Sequence, residues 1–473
     1  MIRLLFLFHR YLGIGVGVLM TMWCLSGVVM MYVSYPWLTP QTRVAHLAPI
    51  DWRNCCRVSS AILSDAEPVS RFGIEMLAGR PVLNWQSSAE TAELMDLSTG
   101  VLINGISPEQ AARVAATYEP AGEAGAPRLL EKIDFDQWTL EGVPPQERPL
   151  YHFDLRDGSG GELYVSSTTG RAVQFTTRRQ RFWNWLGAVP HWLYFADLRH
   201  RVVLWSQVVI YTSLTGCFLT VTGLYLGVRQ LLRRPAGRWS PYRGYSLWHH
   251  IAGLIFGVFL LTWVLSGMLS MNPWGLMEGG EAGPERAALR GAPIAGGELR
   301  AVLQALATKA PAGVVSIESA PLGGRLFLLA SGSDGSRSRL DSAATPAPLS
   351  PTEWGSIAAT LHGSARAMRL LGQGDEYYFG FAGDPVELPI RRILPRDGTD
   401  RRYYLDPVSG ALVVAMDRGS ERYRWWFDGL HRLDFVAIMR TRPHWDVLMW
   451  VLLAGVTVSA ATGTYAAYRR LVR

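Results

Sequence analysis

Along the chain, long apolar runs alternate with stretches of mixed character. Four runs carry no charged residue and reach the roughly 20 residues that a membrane-spanning helix needs: Tyr11–Val33, Val202–Val228, Ile251–Trp274 and Val447–Tyr468. The pattern predicts an integral membrane protein with four helical spans. Between the spans lie short β-prone runs, FGIEML, PVLNW and AELMDL. Two segments carry helix-start signals. Ser107 and Ser350 are placed as N-caps, Pro108 and Pro351 at the first helical position, and Gln110 and Glu353 close capping boxes. Turns ending in glycine are expected at Asp96–Gly100, Ser166–Gly170 and Asp406–Gly410, where glycine supplies positive φ.

The chain is written twice. His9 and His249 are 240 positions apart (249 − 9), and so are Ser26 and Ser266, Tyr164 and Tyr404, His191 and His431, and Gly223 and Gly463. Each half reads as span, outer domain, interfacial segment, span. Each half has an even number of spans, so both enter the membrane in the same direction, and the expected repeat is parallel rather than inverted. The predicted fold is therefore a four-span helical bundle built from a tandem repeat, with two α+β extracytoplasmic domains.

Charge sets the topology. Among 473 residues there are 46 Lys and Arg against 39 Asp and Glu, and Lys132 and Lys309 are the only lysines. Arg229, Arg233, Arg234, Arg238 and Arg243 crowd the short loop between the second and third spans, with no acid among them. Arg469, Arg470 and Arg473 end the chain, and Arg3 and Arg10 begin it. Short basic segments stay on the cytoplasmic side. Both termini are thus expected inside, with the two large regions facing outward, which in a bacterium means the periplasm or cell exterior; the expected location is then a bacterial inner membrane. Topology accounts for the basic excess, which is not read as a nucleic-acid patch. The first span lacks a small-x-small cleavage pattern and is expected to stay in place rather than act as a cleaved signal.

The resulting division is span 1 over 1–34, a first outer domain over 35–177, and an interfacial helix with span 2 over 178–230. A basic loop follows over 231–246, then span 3 over 247–274 and a second outer domain over 275–418. An interfacial helix with span 4 covers 419–469, and 470–473 is a tail.

The paired HRYLG…LSG and LHR…TG spans, the SPxxA helices and the D/S-x-x-T/S-G turns resemble the PepSY-associated transmembrane family over nearly the whole chain. That resemblance implies PepSY-like outer domains. It also implies a haem-bearing inner-membrane oxidoreductase that reduces ferric siderophores in the periplasm.

The histidines can be read against that implication. Of ten, four recur through the duplication at membrane level: His9, His249, His191 and His431. His46, His152 and His362 fall in the outer domains. Ionisable residues at membrane depth are costly and mark functional sites. A b-type haem with two axial histidines needs both at one depth, which pairs His9 with His249 on the inner side and His191 with His431 on the outer side. Two haem b groups are the expected cofactors. His250 is an alternative to His249, since neighbours on a helix point about 100° apart and one alone can face the axis. Gly13 and Gly253 lie four residues after the inner histidines, on the same helix face. They would either give a porphyrin clearance or, with Gly17 and Gly257, pack helices as GxxxG pairs. Arg10, Arg243, Arg432 and Arg440 are candidate propionate partners.

Cys24 and Cys217 read as packing residues, and the adjacent Cys55 and Cys56 as a candidate redox pair. No CxxCH, Walker, GxGxxG or zinc motif is written, so electrons must come from an unidentified donor or from quinol. The expected partners are the bilayer and a ferric chelate. The alternative is a non-enzymatic membrane sensor or adaptor whose outer domains bind a peptide or protein. A transporter is disfavoured, because no span carries Pro or an acidic residue at its middle.

Overall fold

The computed structural model describes residues 2–58, 63, 68–87, 92–118, 125–279, 282–361, 363, 365–380 and 386–472; His362 lies outside the described residues. The four apolar runs are helices: Ile2–Met30, Val202–Leu232, Tyr245–Leu269 and His444–Leu471, each long and apolar enough to cross a bilayer. The first begins nine residues before its apolar run, so His9 lies inside a helix rather than at its mouth. The first span packs between the second and fourth, and so does the third. Their shared core holds Met20, Cys24, Leu219, Leu260, Val264, Met449, Leu453 and Val456. Val18, Leu25, Tyr211, Phe218, Ile255, Val258 and Val451 face outward and exposed. Such a collar of apolar surface is stable against lipid rather than water.

Fifteen strands make three antiparallel sheets among the described residues. One sheet holds β5 (Arg128–Ile133), β6 (Leu150–Asp154), β7 (Glu162–Ser166) and β8 (Ala172–Thr176). Its counterpart holds β12 (Ala365–Leu371), β13 (Ile390–Pro395), β14 (Arg402–Leu405) and β15 (Leu412–Met416). The third takes strands from both of the stretches between spans. From the first half come β1 (Val69–Leu77), β2 (Arg80–Ser87), β3 (Ala92–Asp96) and β4 (Val101–Leu102). From the second come β9 (Val314–Ser319), β10 (Phe327–Gly332) and β11 (Arg337–Asp341). They form one seven-stranded sheet in the order β11-β10-β9-β1-β2-β3-β4. The halves join where β1 meets β9, with Gly73 opposite Glu318 and Ile74 opposite Ile317. An unpaired strand edge presents a row of unsatisfied N–H and C=O groups. Here each half satisfies the other's edge, and Ile74 and Ile317 are fully buried in the common core.

Both expected capping boxes form. Ser107 and Gln110 cap the helix Pro108–Ala116, and Ser350 and Glu353 cap Pro351–Thr360. The three glycine turns close with φ of 76°, 74° and 78° at Gly100, Gly170 and Gly410. Tyr164 and Tyr404 are fully buried in their sheets, and their hydroxyls donate to Asp136 and Asp375. Cys55 and Cys56 are joined as a vicinal disulfide against the core of the shared sheet.

Glu353 gives this region a pH dependence. The Arg339 guanidinium, 2.8 Å away and buried, holds the Glu353 carboxyl down at about 2, against an ordinary value of 4.5. A carboxyl depressed by folding stabilises above its ordinary value and loses that contribution as pH falls. Glu353→Gln keeps an acceptor for the cap but removes the charge. The expected result is a Tm lower by roughly a few degrees at pH 7. Thermal scans should show the gap closing between about pH 4.5 and 2; a gap independent of pH would contradict the ion pair.

Candidate functional site

At the end of the bundle that carries both chain termini, the one expected to be inner, His9 of the first span meets His249 of the third, with ring centroids 6.2 Å apart and planes at 38°. Each imidazole is anchored by a neighbouring span. His9 Nδ1 donates to the Leu219 carbonyl at 3.1 Å, and His249 Nδ1 donates to the Ser459 carbonyl at 2.9 Å. A carbonyl only accepts, so the proton sits on Nδ1 and the Nε2 lone pair is left for a metal. One turn on from those carbonyls are Gly223 and Gly463. A Cβ on Gly223 would lie 2.6 Å from His9 Cε1, and one on Gly463 would lie 2.7 Å from His249 Cε1. Glycine at these two places is what lets the rings lie against the helix backbone. Every one of these contacts recurs 240 positions along the chain.

At the outer end, His191 and His431 have ring centroids 6.0 Å apart and planes at 79°. They come from short helices, Ala188–Trp192 and Leu430–Arg432. Both helices end on a leucine in the left-handed region, Leu193 at φ 54° and Leu433 at φ 58°. The indole N–H of Trp205 donates to the Trp192 carbonyl at 2.8 Å, and that of Trp445 donates to the Arg432 carbonyl at 2.7 Å. These bonds tie the short helices to the second and fourth spans.

The Leu-Ser-Gly triplets acquire a role here. Ser26 Oγ lies 3.1 Å from His191 Nδ1, and Ser266 Oγ lies 2.9 Å from His431 Nδ1. Each hydroxyl donates its own proton to a carbonyl, Trp23 or Trp263, at 3.1 Å. The oxygen is thereby left to accept from the imidazole. The following glycines, Gly27 and Gly267, sit where a Cβ would come 3.5 and 3.9 Å from the histidine Cε1 atoms. Ser26 lies 17 residues beyond His9, so the two pairs are about 25 Å apart along the helix.

Among the described residues, Nε2 of none of the four histidines makes a hydrogen bond. Two metal–imidazole bonds of about 2 Å plus the two half-rings come to about 6 Å between centroids, the separation seen in both pairs. No group of three or more His, Cys, Asp or Glu suited to a metal occurs among the described residues. Each pair therefore brings together two imidazoles that could each give a metal one nitrogen, with no third His, Cys, Asp or Glu grouped with them among the described residues.

The other candidates are placed as follows. His250 is turned away from His9: its Nδ1 meets Ser240 Oγ and its Nε2 the Gly227 carbonyl, both at 2.9 Å. Gly13 has no atom within 4 Å of a built Cβ, whereas Gly253 has Ser459 Oγ at 3.3 Å. Gly17 and Gly257 lie against Thr464 and Leu224 of neighbouring spans, as packing glycines do. Arg440 is engaged by Asp434, with its Nε 3.7 Å from a carboxylate oxygen, and Arg432 pairs with Asp428 at 3.5 Å. Arg10 is half-buried and Arg243 exposed. Sequence reasoning left out Gly223, Gly463, Gly27 and Gly267 as site residues. Their signal was present, since Gly223 and Gly463 already stood among the repeat's fixed points.

Four apolar helices, with two histidine pairs brought together between elements 240 positions apart, define a multi-span membrane protein. The family model described as "PepSY-associated TM region" matches residues 6–367, and the chain belongs to that family. A segment of 53 residues, 11% of the chain, is 36% identical to the probable rhamnogalacturonase E of Aspergillus oryzae and, equally, to that of Aspergillus flavus. The match spans 12% of the length of each of those proteins, and so short a segment carries no activity across.

Proposed function

We propose that the protein is a transmembrane electron-transfer protein that holds two b-type haems and reduces ferric iron, as a siderophore or similar chelate, on the outer side of a bacterial inner membrane. The observation that carries this is the pair of histidine pairs: four imidazoles, each fixed through Nδ1, two by two at separations that suit one metal between them. Two nitrogen ligands without a third protein donor suit a metal whose equatorial positions are already filled, as in a porphyrin. Such a group would supply one-electron chemistry at each end of the bundle.

The chain's own residues orient and insulate. The Leu219 and Ser459 carbonyls and the Ser26 and Ser266 hydroxyls hold the imidazole tautomers, and such outer partners tune a metal site. Gly223 and Gly463 give the inner rings their seat. The apolar side chains between the pairs exclude water from the path. We take the molecule to be a parallel tandem repeat with PepSY-like outer domains, the basic loop and both termini inside, and the three sheets in the periplasm. Electrons then run from a cytoplasmic donor or quinol outward.

Stopped-flow mixing tests the acceptor. Dithionite-reduced protein, freed of excess dithionite, should be reoxidised by a ferric chelate, with ferrous iron trapped by an iron(II) indicator in equal amount. Reoxidation by no ferric compound would leave electron transfer but remove iron reduction.

A further inference from the structure

The two halves differ beside the outer histidines. The second half has Arg424, Asp428, Arg432 and Asp434 where the first has, 240 positions earlier, Asn184, Ala188, Trp192 and Tyr194. The first set is packed. Ala188 and Tyr194 are buried in a core with Tyr35 and Trp138, and Asn184 donates to the Ser34 carbonyl at 3.0 Å. In the second half, Arg424, Asp428 and Arg432 line a cavity of ≈ 400 Å³ instead. The helix wall there, Arg424–Gly429, is wound as a π-helix, a form that often marks functional positions. A volume near 400 Å³ lies within the range of small-molecule sites.

The lining states what would fit. Tyr377, Phe379 and Tyr423 give flat walls, with the thioethers of Met277 and Met416 beside them. Under the cavity, Arg424 and Arg440 share the single carboxylate of Asp434, at 2.8 and 3.7 Å, and all three are largely buried. Two cations on one anion leave a positive charge in excess, and a buried charge without full compensation is costly. Both guanidinium groups also stand over Phe379, at 4.7 and 5.0 Å. Among the described residues, the remaining charged lining, Asp428 with Arg432 at 3.5 Å, is neutral as a pair. A path of rings leads from the wall to the site: Tyr423 lies 5.3 Å from Phe427, and Phe427 lies 5.2 Å from His431.

We propose that this cavity of the second half is the acceptor site and takes a flat aromatic oxyanion, a phenolate or aryl carboxylate ring, free or as one arm of a metal chelate. Its role as acceptor site rests on the electron-transfer function proposed above; the binding itself does not.

Calorimetry on the detergent-solubilised full chain tests it with redox-inert probes. The probes are a gallium(III) tris-catecholate, free 2,3-dihydroxybenzoate, and a gallium(III) trihydroxamate of similar size. At least one aryl probe should bind, and Tyr377→Leu and Arg432→Gln should each weaken it about tenfold, the loss expected for one ring or charge contact. Binding of both aryl probes assigns the site to the ring itself, and binding of the gallium complex alone assigns it to a chelate arm. Absence of binding by either aryl probe overturns the proposal. So does wild-type affinity in both variants, or equal binding of the trihydroxamate. Tyr377→Leu touches no histidine, so its size-exclusion profile and visible spectrum should match wild type and exclude misfolding. A colourless protein that still binds the aryl probe would remove the electron-transfer function and keep the site. A haem protein that binds neither aryl probe would do the reverse.

Discussion

Gly463→Ala and Gly223→Ala are each expected to empty the inner site while the outer one stays loaded. The added methyl would fall 2.7 Å from His249 Cε1 in the first case and 2.6 Å from His9 Cε1 in the second. Contacts that short are not tolerated, and the methyl is fixed to a helix backbone, so the imidazole has to turn. Turning breaks the bond from Nδ1 to the Ser459 or Leu219 carbonyl. Loss of such an outer partner costs about 10- to 100-fold in metal affinity, before the displaced ligand itself is counted. Haem per chain, measured as the pyridine haemochrome, should fall to about half. Gly15→Ala, on an exposed face with no atom within 4 Å of the new methyl, should change nothing. Equal losses in all three variants would assign the effect to helix packing.

His431→Ala is expected to remove the outer haem and spare the inner. On the function proposed above, His431 would be one of two protein ligands at that level, and among the described residues no group of three or more His, Cys, Asp or Glu is placed to hold a metal without it. The remaining His191 stays held by Ser26 and the Trp23 carbonyl, so the fold should survive. His250→Ala makes the contrasting control. Its ring nitrogens serve Ser240 and Gly227, so the variant should keep both haems and lose some stability. Retention of the outer bands in His431→Ala, or loss of the inner ones in His250→Ala, would redraw the ligand assignment.

Much of this was legible in the sequence, because two signals are strong. Uncharged runs of some 20 residues announce spans, and a constant offset of 240 announces which residues correspond. The capping boxes at Ser107 and Ser350 and the turns at Gly100, Gly170 and Gly410 are local chemistry, and local chemistry reads directly. The shared sheet was not legible. The period-2 pattern of FGIEML says that one face is buried, but not which strand completes the edge. Gly13 drew attention because it follows His9 on the same helix face. The glycines that meet the rings, Gly223 and Gly463, come from neighbouring helices, and helical periodicity is silent on what a neighbour presents. Ser26 could be put at the outer level by counting residues. Its partner His191 could not be fixed, because the short helix Ala188–Trp192 sets its depth through the αL turn at Leu193 and the bond from Trp205.

The most direct test is the visible spectrum and haem stoichiometry of the purified, monodisperse protein, expressed with ample haem supply. The account predicts b-type bands at two haems per chain and their disappearance in the double variant His9→Ala, His191→Ala. A colourless wild-type protein would contradict it and leave the outer sheets as the surface of a membrane sensor or adaptor.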